Sequence, residues 1–440
     1  MKLNTEHSMT VIAAVVAMLF VSSCGGSDDD TVTPSAQAAS VSVPYTNGMA
    51  TPSNAVAYWN KIAADTIVVA PAASGTPQEQ RPEMFFDLAT VHVAIYDAVN
   101  AIVGTHKAFG ASPATPAAGA SQEAAAAAAA YGVLKGLFPN RSAQYQVAYD
   151  GFAAAIPASD EKTRGIAVGT EVANAIVALR ANDGRLPVVV YTAKTGPGDF
   201  RGVNPVGTNN RFIKPFALTS ASQFRAPPPP ALDSAAYAVD LNETLAWGSN
   251  VSTLRSADQT ESARFHTENP ALLVSRNYRA FAIDNRSLAD NARGMAMLWV
   301  ALADVTIACF ESKYFYEFWR PTSAIRFADT DGNAATTMDA AWTPVVPTPN
   351  HPEYPAAHNC ANGAGMAALK GHFGTSNITY SFGSTVTGTV RQYSTPDDML
   401  NEISLARIHG GMHFRNSTVQ GGVLGKNVGE WVSKNYFQSR

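Results

Sequence analysis

Three short segments in the last third of this 440-residue chain carry side chains suited to holding a tetrahedral oxyanion. The first is Lys313-Tyr-Phe-Tyr-Glu-Phe-Trp-Arg320-Pro321. Seven residues make almost two helical turns, so a continuous helix would put Lys313 and Arg320 on one face, about 10 Å apart, with both side chains able to clamp one anion. The second is His351-Pro-Glu-Tyr-Pro355-Ala356-Ala357-His358-Asn359, a Pro-rich loop running into a helix. Amides at a helix N-terminus bind oxyanions, and a His in that first turn can donate a proton to a bound oxygen. The third is Arg407-Ile-His409-Gly-Gly-Met-His413-Phe-Arg415-Asn416-Ser417, which sets a guanidinium six residues before a His. A guanidinium fork suits an oxyanion, and an imidazole nitrogen can act as metal ligand or nucleophile. Each segment alone also reads as ordinary helix charges or a His at a helix start.

In order, Lys-x6-Arg-Pro, Pro-x-x-His and Arg-x5-His resemble the signature of the vanadium-dependent haloperoxidase and type 2 phosphatidic acid phosphatase superfamily. Lys313, Arg320, Pro321, Pro355, His358, Arg407 and His413 match it. Ala356 and Ala357 stand where the family has Ser and Gly, and Ser417 where it usually has Asp. The segment from Phe86 to Asn100 is similar to the amino-terminal helix of bacterial haloperoxidase-like members, which extends the resemblance from about Arg81 to Phe437.

The resemblance implies a mostly α fold of two packed helical bundles with long irregular connections, and vanadate as cofactor. Lys313, Arg320 and Arg407 would neutralise its equatorial oxygens, the Ala357 amide would donate to another, His413 would be the metal ligand, and His358 the acid–base group. Three permanent cations stabilise a multiply charged anion, and the same pocket suits the transition state of phosphoryl transfer. The implied reaction is oxidation of a halide by hydrogen peroxide to hypohalous acid, with a small organic acceptor as a further partner. His351, seven residues before His358, occupies a position where family haloperoxidases resemble one another in carrying Phe or His, which favours iodide or bromide over chloride. Two alternatives stay open: a soluble acid phosphatase binding phosphate, in which His413 attacks phosphorus, and a surface lipoprotein with a degenerate anion pocket. Losing the Ser hydroxyl at Ala356 removes a hydrogen bond to a charged acceptor, on the order of 1 to 3 kcal/mol, and predicts weaker vanadate binding. Ala357 matters only if its backbone needs positive φ.

The positioning elements read as helices. Phe85 to Ile102 carries apolar residues at close to a 3.6 period, Ser121 to Leu137 is Ala-rich, and Asp160 to Ala181 follows the N-cap candidate Ser159; these three are expected to pack as a bundle. Residues 186 to 231 shift to Pro, Gly, Asn and Thr and read as an irregular crossover. Helices are then expected at Ala235 to Trp247, Ala257 to His266, Leu288 to Trp319, Ala356 to Phe373, Met399 to Ile408 and Val419 to Tyr436, with a loop or short hairpin over 374–395. This divides the chain into an N-terminal bundle (56–185), the crossover, and a C-terminal active-site bundle (232–440).

Residues 1–23 read as a lipoprotein signal peptide: Lys2, an apolar run from Met9 to Val21, then Val21-Ser22-Ser23-Cys24, similar to a bacterial lipobox. That run is too short to span a bilayer. Residues 24–55 read as a flexible tether, so the expected membrane contact is a lipid at Cys24, the expected location the bacterial cell envelope, and a homo-oligomer is left open. With 46% hydrophobic and 15% charged residues the bulk of the chain can bury a core. A net charge of 31 − 35 = −4 without a basic block argues against nucleic-acid binding. Cys309 and Cys360 lie near the motifs and read better as buried thiols than as a disulfide. His409 and His413 have i, i+4 spacing, but Gly410-Gly411 between them and the missing Glu argue against zinc. Asp331-Gly332 reads as a tight turn rather than a calcium loop, and Tyr314, Phe315, Tyr316, Phe318 and Trp319 as core around the site.

Overall fold

Side-chain oxygens of Ser121, Ser159, Ser234, Ser256, Ser287 and Thr395 each accept a hydrogen bond from an amide in the first turn of the helix that follows, so these helices begin where the cap residues place them. The structure is a computed structural model and describes residues 39–67 and 71–440. Residues 1–38, on which the expected signal segment, Cys24 and the first part of the expected tether fall, lie outside the described residues.

Among these residues the helices are α1 (Ala55–Ile67), α2 (Pro77–Gln80), α3 (Met84–Val103), α4 (Gln122–Leu137), α5 (Ser142–Ala154), α6 (Asp160–Arg180), α7 (Ala235–Gly248), α8 (Ala257–Phe265), α9 (Pro270–Tyr278), α10 (Leu288–Tyr316), α11 (Pro321–Arg326), α12 (Ala357–Phe373), α13 (Pro396–His409) and α14 (Arg415–Asn435). A small sheet in the order β1 (Val41–Ser42), β2 (Ile378–Gly383), β3 (Val390–Tyr393) sits beside them. Val41 pairs with Ile378 in parallel, and Tyr380 with Tyr393 in antiparallel register. Residues 41–42 therefore already belong to the folded part, ahead of Ala55, because β2 offers an edge that would otherwise be unpaired.

The fold is mostly α, as expected. Helices α3, α4 and α6 pack on one another as the first bundle, and α10 joins the two halves, with α3 on one side and α12 and α14 on the other. Residues Met297 to Ala303 of α10 are wholly buried. Both α3 and α10 are long and apolar enough to cross a membrane by composition, and both are largely buried in the core. The crossover carries no α-helix, and buried side chains help to hold it in place. The Asp304 carboxylate on α10 accepts from the amides of Phe216, Ala217 and Leu218 at 2.7, 2.7 and 2.8 Å, and Arg185 pairs with Asp87 and Asp183 at 2.8 Å each.

One device sets the site's frame. Gly421, Gly425 and Gly429 recur every four residues on α14, and a Cβ at Gly425 would lie 2.2 Å from the Cys360 carbonyl oxygen of α12. Only glycine permits this backbone contact, which brings the start of α14 beside the start of α12.

Three expectations are corrected. Helix α10 stops at Tyr316 rather than Trp319: Glu317 turns left-handed (φ 48°) and its amide caps Lys313. Arg320 is thus not on the helix of Lys313 but is the extended residue preceding α11, so the shared-face argument fails. Phe315 is exposed, with the Arg225 guanidinium stacked 3.7 Å from its ring centre, and does not belong to the core around the site. Helices α1, α5 and α9 were not among the expected elements.

Candidate active site

Although Lys313 and Arg320 leave different elements, the fold brings them together through the Pro-rich loop before α12. Lys313 is fully buried, and its Nζ donates to the carbonyls of Pro352 and Glu353 at 2.8 and 2.9 Å. Burial pushes its ammonium pKa down to about 8. Arg320 Nε donates to the His351 carbonyl at 2.8 Å, Nη1 to the Met412 carbonyl at 3.0 Å and to His413 Nε2 at 3.1 Å, and Nη2 to His351 Nδ1 at 2.9 Å. One guanidinium thereby fastens the second motif to the third.

That contact assigns the tautomer of His413. A guanidinium only donates, so Nε2 carries the lone pair and Nδ1 the proton, which it gives to Glu353 Oε1 at 2.9 Å. Glu353 is fully buried and also accepts from the Phe414 amide at 3.0 Å and the Ser417 hydroxyl at 2.6 Å. Burial pushes its carboxyl up to about 7, while all three partners are donors that favour the charged form. Burial, with Arg320 and Lys313 nearby, holds His413 well below the usual imidazole range, so it stays neutral with Nε2 available to bond an electrophilic centre.

Arg407, in the last turn of α13, donates through Nη1 to the His266 carbonyl at 2.9 Å and contacts Met412 Sδ through Nη2 at 2.7 Å. Its Nε is buried without a partner. The His358 ring rests against the same His266 carbonyl, and its Nε2 is likewise buried and unpartnered. Burial and the charge of Arg407 hold His358 neutral. The His266 ring is itself tied by Nε2 to Glu402 at 2.8 Å.

Ala356 precedes α12 in extended conformation (φ −70°, ψ 116°) and offers no side-chain cap. Ala357 opens the helix and has no positive φ, so methyl replaces hydrogen there without backbone strain. Its amide is among the first-turn donors that lack an intrahelical acceptor.

The structure thus gathers Lys313, Arg320, His351, Ala357, His358, Arg407 and His413 at one place. Three buried cations face a single carboxylate, Glu353, and burial pushes Arg320 and Arg407 down to about 10 and 9, which an oxyanion among them would relieve. The orphaned Arg407 Nε and His358 Nε2 are the donor and acceptor such an anion would engage. A cavity of about 590 Å³ reaches the cluster, lined there by Arg407, His351, His358, Ala357 and Met412, with Glu83 among its other residues. Sequence reading missed Glu353 and His266. Glu353 lies inside the second motif, where an acid between two prolines was the available signal; His266 acts through its carbonyl, which no side-chain pattern reveals. Cys309 and Cys360 are both free and buried.

Residues 293–439 match the family model of the VCPO second helical-bundle domain. No curated protein sequence matches the chain significantly. Among solved structures, the first bacterial vanadium-dependent iodoperoxidase superposes with a TM-score of 0.70 at 22% identity, covering 88% of this chain and 97% of that one. A bacterial vanadium-dependent chloroperoxidase superposes in its holo form with a TM-score of 0.65 at 17% identity (80% and 90% covered). An apo-type bacterial vanadium-dependent chloroperoxidase gives 0.62 at 16% (83% and 95%).

Proposed function

From a chain with the vanadium haloperoxidase fold, whose C-terminal bundle matches that family's second domain, we propose a vanadate-dependent peroxidase that oxidises iodide or bromide with hydrogen peroxide to hypohalous acid. The observation that carries the reading is His413: a buried, neutral imidazole with Nδ1 anchored on Glu353 and Nε2 presented among Lys313, Arg320 and Arg407.

Vanadate would be held by Lys313, Arg320, Arg407, the Ala357 amide and His413 Nε2. When bound it supplies a Lewis-acid centre that makes peroxide electrophilic towards halide. The protein's own part is positioning and proton handling. Glu353 fixes which imidazole nitrogen is basic. Arg320, whose Nη1 now donates to His413 Nε2, would be one of the donors to the oxygens of a bound anion. His358, neutral and unpartnered at Nε2, takes a proton from hydrogen peroxide and returns it to the leaving oxygen. The choice of iodide or bromide rests on His351, which lines the cavity with its ring held by Arg320. The cavity also has room for a small organic acceptor. The Val21-Ser22-Ser23-Cys24 segment supports attachment by lipid to the cell envelope.

The test is to incubate the purified protein with orthovanadate and follow peroxide-dependent iodide and bromide oxidation, beside phosphate-ester hydrolysis without vanadate. Halide oxidation that is lost in His358→Ala and His413→Ala supports the reading. Hydrolysis inhibited by vanadate makes the protein a phosphatase instead, and neither activity leaves a lipoprotein with an anion pocket.

A further inference from the structure

We infer that Cys309 and Cys360 are a peroxide-responsive modification site, converted by hydrogen peroxide into a disulfide that ties together the two helices carrying Lys313 and His358. Cys309 lies on α10 one turn before Lys313, and Cys360 on α12 two residues after His358. The two helices pack directly, and the two thiols lie against one another. Only Cys309 lines the cavity that reaches the candidate site, and its Sγ is 3.9 Å from the Pro355 carbonyl oxygen. Peroxide entering to reach His358 therefore meets the Cys309 sulfur on the way.

The surroundings divide the roles. Cys309, which lines the cavity, is the thiol that peroxide reaches first, and Cys360, which does not line it, is left to resolve the oxidised sulfur. The Cys309 thiolate attacks one peroxide oxygen: the S–O bond forms, the O–O bond breaks, and hydroxide leaves as water with a proton from the site. Sulfur is oxidised by two electrons to sulfenic acid as peroxide is reduced. Cys360 then attacks that sulfur: the S–S bond forms, the S–O bond breaks, and hydroxide takes the Cys360 proton as a second water. Overall two thiols and one hydrogen peroxide give one disulfide and two waters. Because a disulfide holds its sulfurs closer than two thiols in contact, it draws α10 and α12 together at the anion cradle. A shift of that kind costs on the order of tenfold or more in oxyanion binding.

The experiment needs neither vanadate nor halide, so it can succeed even where halide oxidation fails. The full chain is treated with a few equivalents of hydrogen peroxide, alkylated with iodoacetamide under denaturation, and digested with trypsin. The expected product is peptide 294–313 joined to peptide 327–370, with both free thiols lost together and recovered after dithiothreitol. In Cys360→Ala the sulfenic acid on Cys309 should be trapped by dimedone, and in Cys309→Ser Cys360 should stay reduced. Phosphate affinity, measured by calorimetry, should fall about tenfold in the oxidised protein and return on reduction. Two thiols that both alkylate fully after peroxide, oxidation of Cys360 undiminished in Cys309→Ser, or phosphate affinity unchanged by the disulfide would each overturn the inference.

Discussion

Glu353→Gln separates the charge of the His413 anchor from its geometry. Both His413 Nδ1 and the Phe414 amide donate to Oε1, so a glutamine oxygen there keeps the two bonds, while the new amide meets the Ser417 oxygen, which can turn to accept. What is lost is the negative charge that makes Nε2 more basic. Removing it also relieves repulsion of a bound oxyanion, about 2 kcal/mol for charges roughly 8 Å apart at an effective dielectric of about 20. Measured losses at carboxylate–imidazole–metal sites already contain both effects and come to about 10- to 100-fold in affinity, or about 1.4 to 2.8 kcal/mol. Orthovanadate affinity by calorimetry at pH 8, where the wild-type carboxyl is ionised, should therefore weaken by that factor in Glu353→Gln. At pH 6, below the value of about 7 to which burial pushes the carboxyl, wild type itself is largely neutral there and the gap should close. Glutamine binding as tightly as wild type at pH 8 would show that the carboxylate serves stability alone.

Ala356→Ser should stabilise the protein by about 1 kcal/mol by capping α12, and should tighten orthovanadate binding; thermal denaturation and calorimetry read the two effects. Asp304→Asn leaves a single carbonyl oxygen for three amides of the crossover, so a loss of about 2 to 4 kcal/mol in denaturant unfolding is expected. Gly425→Ala forces a methyl against the Cys360 carbonyl, and should cost about 1 to 3 kcal/mol while loosening oxyanion binding. Burial holds His92 near 3, so between pH 6.5 and about 3 the unfolded chain takes up a proton that the folded chain refuses, and stability falls with pH. His92→Gln should remove up to about 1.4 kcal/mol per pH unit of that decline, visible as a flatter plot of unfolding free energy against pH.

Much of the fold was legible because helix starts are local. Ser121, Ser159, Ser234 and Ser287 cap with their own side chains, and Pro139 limits what precedes it, so these helix starts and the end of α4 were found nearly to the residue. The end of α10 was not legible. The stretch from Lys313 to Trp319 holds no Gly or Pro that would mark a stop, and Glu317 goes left-handed because the Gly198 carbonyl takes the Trp319 amide and the Glu317 carbonyl takes the Phe200 amide, contacts set by a distant loop. The β1 pairing likewise depends on a strand more than 330 residues away.

The residue types that can grip an oxyanion, Lys313, Arg320, Arg407, His358 and His413, are properties of composition and spacing, and the sequence alone determined them together with the mostly helical class. Which nitrogen of His413 is basic, which carboxylate anchors it, and which cation fastens one motif to another were decided only in three dimensions. Hydrogen bonds such as Arg320 to His413 and Glu353 to Ser417 join residues 93 and 64 positions apart. Their geometry follows from the glycine-mediated contact of α14 with α12 and the burial of α10 between the two bundles, and no local propensity encodes either.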